Sequence, residues 1–338
     1  MKAAFVDPMG LENLKIVDLP EPQAGPGEVL VAMKAASLNF RDLLAVKGGY
    51  GSMQKQEKLI PLSDGAGEIV AVGDRVRGWK VGDRVVGTFF PDWQVGPLRF
   101  ESVATDLGGR MDGVACEKRV FRQDAIVKLP DHLDYAEGAS LPCAAATAWN
   151  GLVEQGKAGP GDRVLIQGTG GVSLFALQFA VMAGAEVYAI SSSAEKLALM
   201  KDLGATHLVN YREDAEWGKA IQKLSKGRGV THAVEVVGGD QLKQTLRAMS
   251  LGGYISLIGV VGGNRSELNL PVFSMGGLRM EGASAGSKAS LQKLIDAMAI
   301  ARVKPVLDRQ RFKLADLKAA LEYLASGKHI GKVIVDIA

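Results

Sequence analysis

Hydrophobic and polar positions follow two different rhythms along this chain. Through the first ~125 residues the apolar runs are short, β-branched and bounded by Gly, Pro and Asp turns. "GEVLVAMKAASL" (27–38), "AGEIVAV" (66–72), "DRVVGTF" (83–89) and "DAIVKLP" (124–130) are therefore predicted strands. "VGDRV" occurs at 72–76 and again at 81–85, too close for a repeat architecture. It reads as one strand–turn–strand chemistry used twice. Near residue 130 the rhythm changes, and "YAEGASLPCAAATAWNGLVEQG" (135–156) predicts one or two helices ended by Gly156. Strand and helix patterns then alternate: "RVLIQG" with "GVSLFALQFAVMAG", "EVYAIS" with "SAEKLALMKDLG", "HLVN" with "DAEWGKAIQKLS", "THAVEVVG" with "DQLKQTLRAMS", and then "GYISLIG". After residue 287 come the helices "SKASLQKLIDAMAIA" and "LADLKAALEYLAS" and a last strand, "GKVIVDI".

Alternation of this kind makes a parallel sheet with helices on both faces. The predicted fold class is α/β, a β-rich domain followed by a doubly wound one. The expected partition is 1–130 for the first domain, completed by 290–338, and 131–289 for the second. The C-terminal ~50 residues are too few for a core of their own and are expected to pack against the first domain.

Composition narrows the classes. At 338 residues two domains are natural, and 47% hydrophobic with 23% charged residues is ordinary globular usage. A net charge of +3, scattered among acids, excludes a nucleic-acid footprint. Two cysteines, Cys116 and Cys143, exclude a disulfide scaffold and suit a reducing compartment. "MKAAFVDPMG" has no apolar leader, and the run "VSLFALQFAVMAGAEV" is too short for a membrane span and is interrupted by Gln178 and Gly184. A cytoplasmic protein with neither membrane nor nucleic-acid partners is expected.

"IQGTGGVS" (166–173) carries the chemistry. Gly168, Gly170 and Gly171 stand between a predicted strand and a predicted helix, where a dinucleotide fingerprint belongs. Gly168 allows a tight turn and Gly170 lets a pyrophosphate approach the backbone. The helix opened by Gly171 and Val172 points N–H groups and a positive dipole end at the phosphates. Ser173 stands where the third fingerprint glycine belongs, a departure from the pattern. The second strand ends in Ser191, Ser192 and Ser193 with Lys196 beyond, where an NAD site carries a carboxylate. Hydroxyls and an ammonium suit a 2′-phosphate, although the serines also suit a helix cap. Tyr211 can close over the adenine. Val237 and Gly238, and Ile258, Gly259 and Val260, end the fourth and fifth strands and line the ligand crevice. The reading favours NADP(H) as cofactor over NAD(H).

The whole chain resembles the medium-chain dehydrogenase/reductase superfamily, from "MKAAFVD" to "GKVIVDI". "AGPGEVLV", "LNFRDL", "DGAGEIVAVG", "VGDRV", "LPCAAATAWNGL", "GTGGVSLFALQFA" and "DLGATHLVNYRE" carry the resemblance. It implies a GroES-like catalytic domain, interrupted by a Rossmann domain, with an active site in the cleft between them, and usually a homodimer. "LNLPVFSMGGLRMEGAS" (268–284) is a candidate for the dimer surface, and the long loop "FPDWQVGPLRFESVATDLGG" (90–109) for a specificity loop.

Zinc members of that superfamily read Cys-His-x-Asp where this chain has Asn39, Phe40, Arg41 and Asp42, and Gly-His-Glu where it has Leu62, Ser63 and Asp64. Of the three usual ligand positions only Cys143 keeps a ligand type, and a catalytic zinc needs three protein ligands. The four-cysteine structural lobe is absent, and His132, His207, His232 and His329 show no ligand spacing. No metal is expected. The resemblance thus points to the zinc-independent quinone oxidoreductases and enoyl reductases, which pass hydride from NADPH to a quinone or an activated alkene. It implies Tyr50 as a proton donor or lid, Asn39 on the nicotinamide ribose or the substrate, Thr147 on the nicotinamide side and Lys332 near the cofactor. Asp42 is expected to cap its helix or hold Arg41. The alternatives are an alcohol/carbonyl dehydrogenase and a non-catalytic, crystallin-like or sensor protein that binds NADPH.

Overall fold

The N-terminal runs become strands because their alternate apolar side chains share one core. In the computed structural model, which describes residues 1–337, β1 (Lys2–Val6) and β2 (Leu14–Asp18) form an antiparallel ribbon. β3 (Glu28–Ser37) pairs antiparallel with both β4 (Asp64–Val72) and β6 (Lys118–Arg122), while β5 (Arg84–Gly87) and β7 (Ile126–Lys128) continue the sheet beyond β4. One VGDRV copy begins at the last residue of β4 and the other runs into β5. The repeat is a connection between neighbouring strands.

The second unit, Thr147–Ser284, contains the alternating region. Its strands are β8 (Arg163–Gln167), β9 (Glu186–Ser191), β10 (His207–Asn210), β11 (Val230–Glu235), β12 (Met249–Leu257) and β13 (Arg279–Gly282). They lie in the order β10-β9-β8-β11-β12-β13, every neighbouring pair parallel. This is the doubly wound order with its switch point between β8 and β11. Leu165, Tyr188, Trp217, Ile221 and Ile255 pack one core of the sheet. The helix Gly171–Met182 buries Leu174, Phe175, Leu177 and Phe179, so its apolar surface is nearly continuous. β13 falls within 268–284 and left no strand signal in the sequence; its residues are mostly exposed and mixed in polarity.

From Ala285 the chain belongs to the first unit again, together with 1–146. The helix Lys288–Ala301, β14 (Leu307–Lys313), the helix Leu317–Ala325 and β15 (Lys332–Asp336) follow. β15 slots between β14 and β3, giving the order β14-β15-β3-β4-β5-β7 with β6 also on β3. Leu317, Leu321, Val333 and Val335 share a core with Val29, Val31 and Met33. In the β15–β3 register Ile334 opposes Ser37, and Leu38 N–H donates to Val333 O at 2.9 Å. That register sets Lys332 beside the end of β3. Among the described residues no helix is long and apolar enough to cross a membrane.

Candidate active site

In the second unit the glycine turn joins β8 to the helix Gly171–Met182. Gly168 has φ +73°, a conformation that favours glycine. Gly170, at the helix N-cap, has an ordinary φ of −73°. A side-chain Cβ at either position would meet no protein atom within 4 Å. Nothing in the protein therefore requires glycine at 170, and the backbone there is open to the approach of a phosphate. Gly171 and Val172 begin the helix, and no acidic residue in its first turn opposes an anion. Ser173, the departure from the fingerprint, is buried and donates its Oγ to Gln167 O at 2.7 Å. A hydroxyl that bonds the preceding strand is accommodated where the pattern has glycine.

β9 ends at Ser191, whose buried Oγ has no partner. Ser193 caps the helix Ala194–Asp202 by accepting the Lys196 N–H, and Ser192 is partly exposed beside it. Tyr211 N–H donates to Ser191 O at 3.1 Å, which sets Tyr211, 40% exposed, over the end of β9. Val237 and Gly238 follow β11, and Ile258, Gly259 and Val260 follow β12. The glycine turn, the serines and these two loops all stand at the carboxyl ends of parallel strands. Thr147 is buried in the short helical stretch Ala146–Trp149, away from them in sequence. The open glycine turn and the half-capped serines fit a dinucleotide.

In the first unit Asn39 lies two residues beyond β3 and caps the helix Phe40–Val46. Lys332 opens β15, is only 2% exposed, and donates Nζ to Leu38 O at 2.8 Å and to Asn39 Oδ1 at 2.6 Å. An ammonium only donates, so the amide oxygen of Asn39 must face it. The Asn39 Nδ2 is then turned the other way, buried and without a partner. A buried donor left unpaired costs about 1–3 kcal/mol, a cost that an acceptor atom of a ligand would relieve. Asp64 is fully buried; its Oδ1 accepts the Ser63 hydroxyl at 2.6 Å and its Oδ2 the Cys143 N–H at 3.0 Å. Lys332 Nζ lies 3.8 Å from Asp64 Oδ2.

These bonds bear on whether the residues present fit a metal. At the positions where zinc relatives are expected to carry ligands, the oxygen donors of Asn39, Ser63 and Asp64 are engaged with each other, with backbone or with an ammonium. The Cys143 thiol is pushed up to about 12 by burial and by Asp64. Among the described residues no cluster of three or more His, Cys, Asp or Glu can hold a metal. The donor set does not fit zinc.

Arg41 and Tyr50 make a second group in the first unit. The Arg41 guanidinium pairs with Asp106, donates to Leu107 O at 2.8 Å, and lies 4.9 Å from the centroid of the Phe89 ring and 5.7 Å from that of Tyr50. Burial opposes its charge, but Asp42 and Asp106 outweigh it and raise its pKa. Burial also raises the Tyr50 phenol, the guanidinium opposing, so the phenol stays a donor at neutral pH. Gly48 and Gly51 around Tyr50 both have positive φ. Leu62, next to Ser63, holds φ +70°, costly for a branched side chain. Its carbonyl accepts Val114 N–H at 2.9 Å, and a Cβ on Gly113 would lie 1.9 Å from it. The strain beside Ser63 is locked in by a neighbouring loop that only glycine permits.

Sequence reasoning missed Asp106, the strained Leu62 and the partners of Lys332. None has a local signal, since each depends on a contact made by a distant segment. Asp42 was read as a cap, and its carboxylate does accept Asn39 N–H at 2.7 Å. Burial raises Asp42 from 3.8 to about 6, with Arg41 opposing and Asp64 adding to the rise. A raised carboxyl favours the fold while protonated; that stability is complete below the unfolded value and is lost as pH rises through the folded one. Asp42→Asn should therefore gain on the wild type by roughly 1–3 kcal/mol between about pH 4 and 7. Paired thermal melts across that range check it; a constant difference contradicts it.

Known proteins resemble both parts of the chain. Residues 25–131 match the alcohol dehydrogenase GroES-like domain, and 171–299 match the zinc-binding dehydrogenase family. A zinc-type alcohol dehydrogenase-like protein of Schizosaccharomyces pombe is 41% identical over 336 residues, 97% of this chain and 96% of the relative. An acryloyl-coenzyme A reductase of Sulfurisphaera tokodaii is 26% identical over 340 residues, covering 98% of this chain and 99% of the relative. The crystal structure of a putative alcohol dehydrogenase from Sinorhizobium meliloti superposes with a TM-score of 0.93 at 38% identity, covering 99% of this chain and 98% of that one. With a GroES-like sheet, a Rossmann sheet and relatives along its full length, the chain belongs to the medium-chain dehydrogenase/reductase superfamily of nicotinamide-dependent oxidoreductases.

Proposed function

We propose that this protein is an NADPH-dependent reductase that delivers hydride to a quinone or to the β-carbon of an α,β-unsaturated carbonyl, without a metal. The observation that carries the reading is the spent donor set. Asp64 is taken by Ser63 and Cys143, and Asn39 Oδ1 by Lys332, which leaves Asn39 Nδ2 as a buried donor without a partner beside them. The acryloyl-coenzyme A reductase among the relatives supports an activated alkene as acceptor.

The bound coenzyme supplies the hydride. The protein must meet the negative charge that develops on the acceptor oxygen with fixed donors. Asn39 Nδ2 is one, and its amide is polarised by the Lys332 ammonium on the other side. The Tyr50 phenol, neutral and backed by Arg41, is the second donor and the source of the proton. Lys332 thus acts through Asn39. On the coenzyme side, Gly168, Gly170, Gly171 and Val172 hold the pyrophosphate, and Ser191, Ser192, Ser193 and Lys196 take the 2′-phosphate with Tyr211 over the adenine. Val237, Gly238, Ile258, Gly259, Val260 and Thr147 line the remainder. A homodimer belongs to this reading: β13 ends its sheet with one open edge, and Leu251, Leu270 and Met275 nearby are 68–85% exposed.

The name of the Schizosaccharomyces pombe relative favours a second reading, an alcohol dehydrogenase. One assay separates the two. NADPH and NADH are offered with a panel of quinones and enones, and NADP⁺ and NAD⁺ with primary and secondary alcohols. NADPH oxidation by quinones or enones, with kcat/KM about tenfold or more above that for NADH, is expected from a phosphate-specific contact. Turnover confined to alcohols overturns the reading.

Removing the donors tests the mechanism. Asn39→Leu should lower kcat about 100-fold, as loss of an oxyanion donor does. Lys332→Met, which frees the amide to turn, should lower kcat well beyond any change in coenzyme affinity. Stopped-flow turnover beside coenzyme titration checks both; unchanged kcat in either variant contradicts the assignment.

A further inference from the structure

Glu235, the last residue of β11, is a buried carboxylate with 0% exposure. Hydrogen-bond donors surround it in place of a cation. Its Oε1 accepts Val237 N–H and Gly238 N–H, each at 2.9 Å. Its Oε2 accepts Gln167 Nε2 at 3.0 Å and the Thr245 hydroxyl at 2.5 Å. Gln167 Nε2 also donates to Thr245 Oγ1 at 2.8 Å. The backbone carbonyl of Glu235 accepts Ile258 N–H at 2.9 Å and Gly259 N–H at 3.2 Å. Gln167 immediately precedes the glycine turn, and its own carbonyl accepts the Ser173 hydroxyl.

One residue thus ties together the ends of β8, β11 and β12. Taking a carboxylate out of water costs several kcal/mol unless its lone pairs are satisfied, and all the partners here come from segments that edge the crevice. Two consecutive N–H groups point inward to Oε1, which fixes the backbone of Val237 and Gly238. Gly238 and Gly239 accordingly hold φ +68° and +54°. The same carboxylate grips the strand end from which the glycine turn starts.

We propose that Glu235 is a positioning residue for the coenzyme, holding the Val237–Gly238 loop and the glycine turn in their receiving arrangement before the coenzyme arrives. The proposal rests on the nicotinamide coenzyme of the superfamily and not on the choice of acceptor. Preorganisation of this kind lowers the ordering cost of binding. A purely structural carboxylate would set the melting temperature and leave the affinity of folded protein unchanged.

The test is binding of NADPH and of NADH, followed by protein fluorescence, in variants whose melting is measured in parallel. Glu235→Leu removes the acceptor for both N–H groups and should weaken both coenzymes about tenfold or more. Glu235→Gln with Gln167→Glu exchanges donor and acceptor across the contact. The amide oxygen introduced at position 235 still accepts the two N–H groups, the amide nitrogen beside it donates to the carboxylate introduced at position 167 and to Thr245, and affinity should return to within about threefold. Wild-type affinity in folded Glu235→Leu, or no recovery in the exchanged pair, overturns the proposal. Amide exchange on the unaltered protein decides the matter if Glu235→Leu does not fold. Val237 and Gly238 should be protected before coenzyme is added; exchange as fast as in an open loop until NADPH is present overturns it. Because NADPH and NADH are read side by side, a wrong coenzyme preference does not mimic either result.

Discussion

A buried ammonium must find acceptors, and the one at Lys332 finds them at Leu38 O and Asn39 Oδ1. The polar cluster of the first unit follows from that contact. It turns the Asn39 amide so that Nδ2 is presented without a partner. It places a positive charge 3.8 Å from Asp64, whose oxygens are then completed by Ser63 and Cys143. A cation of fixed position is supplied by the chain itself, and the oxygens that would otherwise be available to a metal are already bonded. As proposed, the site stabilises a developing oxyanion with an amide and a phenol in place of a Lewis acid.

The contact also explains the route of the chain. Lys332 comes from the last strand, and β15 reaches β3 only because the chain returns to the first unit after its excursion into the parallel sheet. The register of Ile334 on Ser37 is what brings the ammonium to Asn39. Burying lysine is unusual, and it is tolerated here because three donor directions meet two close acceptors and a nearby carboxylate. In the second unit a buried carboxylate, Glu235, plays the corresponding part. Both charges sit at strand ends, where backbone groups free of the sheet ladder supply partners.

Much of the fold was legible because hydrophobic period is a local property. Five of the six parallel strands and the glycine turn were read from apolar runs and their punctuation. β13 and β14 were not: "RMEG" and "LDRQRFK" are edge strands whose exposed faces carry charge, so neither period 2 nor burial appears in their composition. At the site, Asn39, Tyr50 and the coenzyme loops were named from motif and resemblance. Lys332 was named as well, but its partners Leu38 and Asn39 lie 293 or more positions away in sequence, and no local pattern reveals such a bond. Leu62 escaped for the same reason, since its positive φ is imposed by the loop around Gly113. Ser173 read as a defect in the fingerprint, and only its bond to Gln167 O shows how the hydroxyl fits.

Zinc content of the active protein shows whether the ammonium or a metal governs the site. The purified protein would be incubated with zinc, freed of loose metal, and assayed for bound metal by mass spectrometry and for NADPH-dependent reduction with and without a chelator. A site governed by the Lys332 ammonium predicts far less than one zinc per chain and activity indifferent to the chelator. One tightly held zinc per chain, with activity that disappears on its removal, would contradict it.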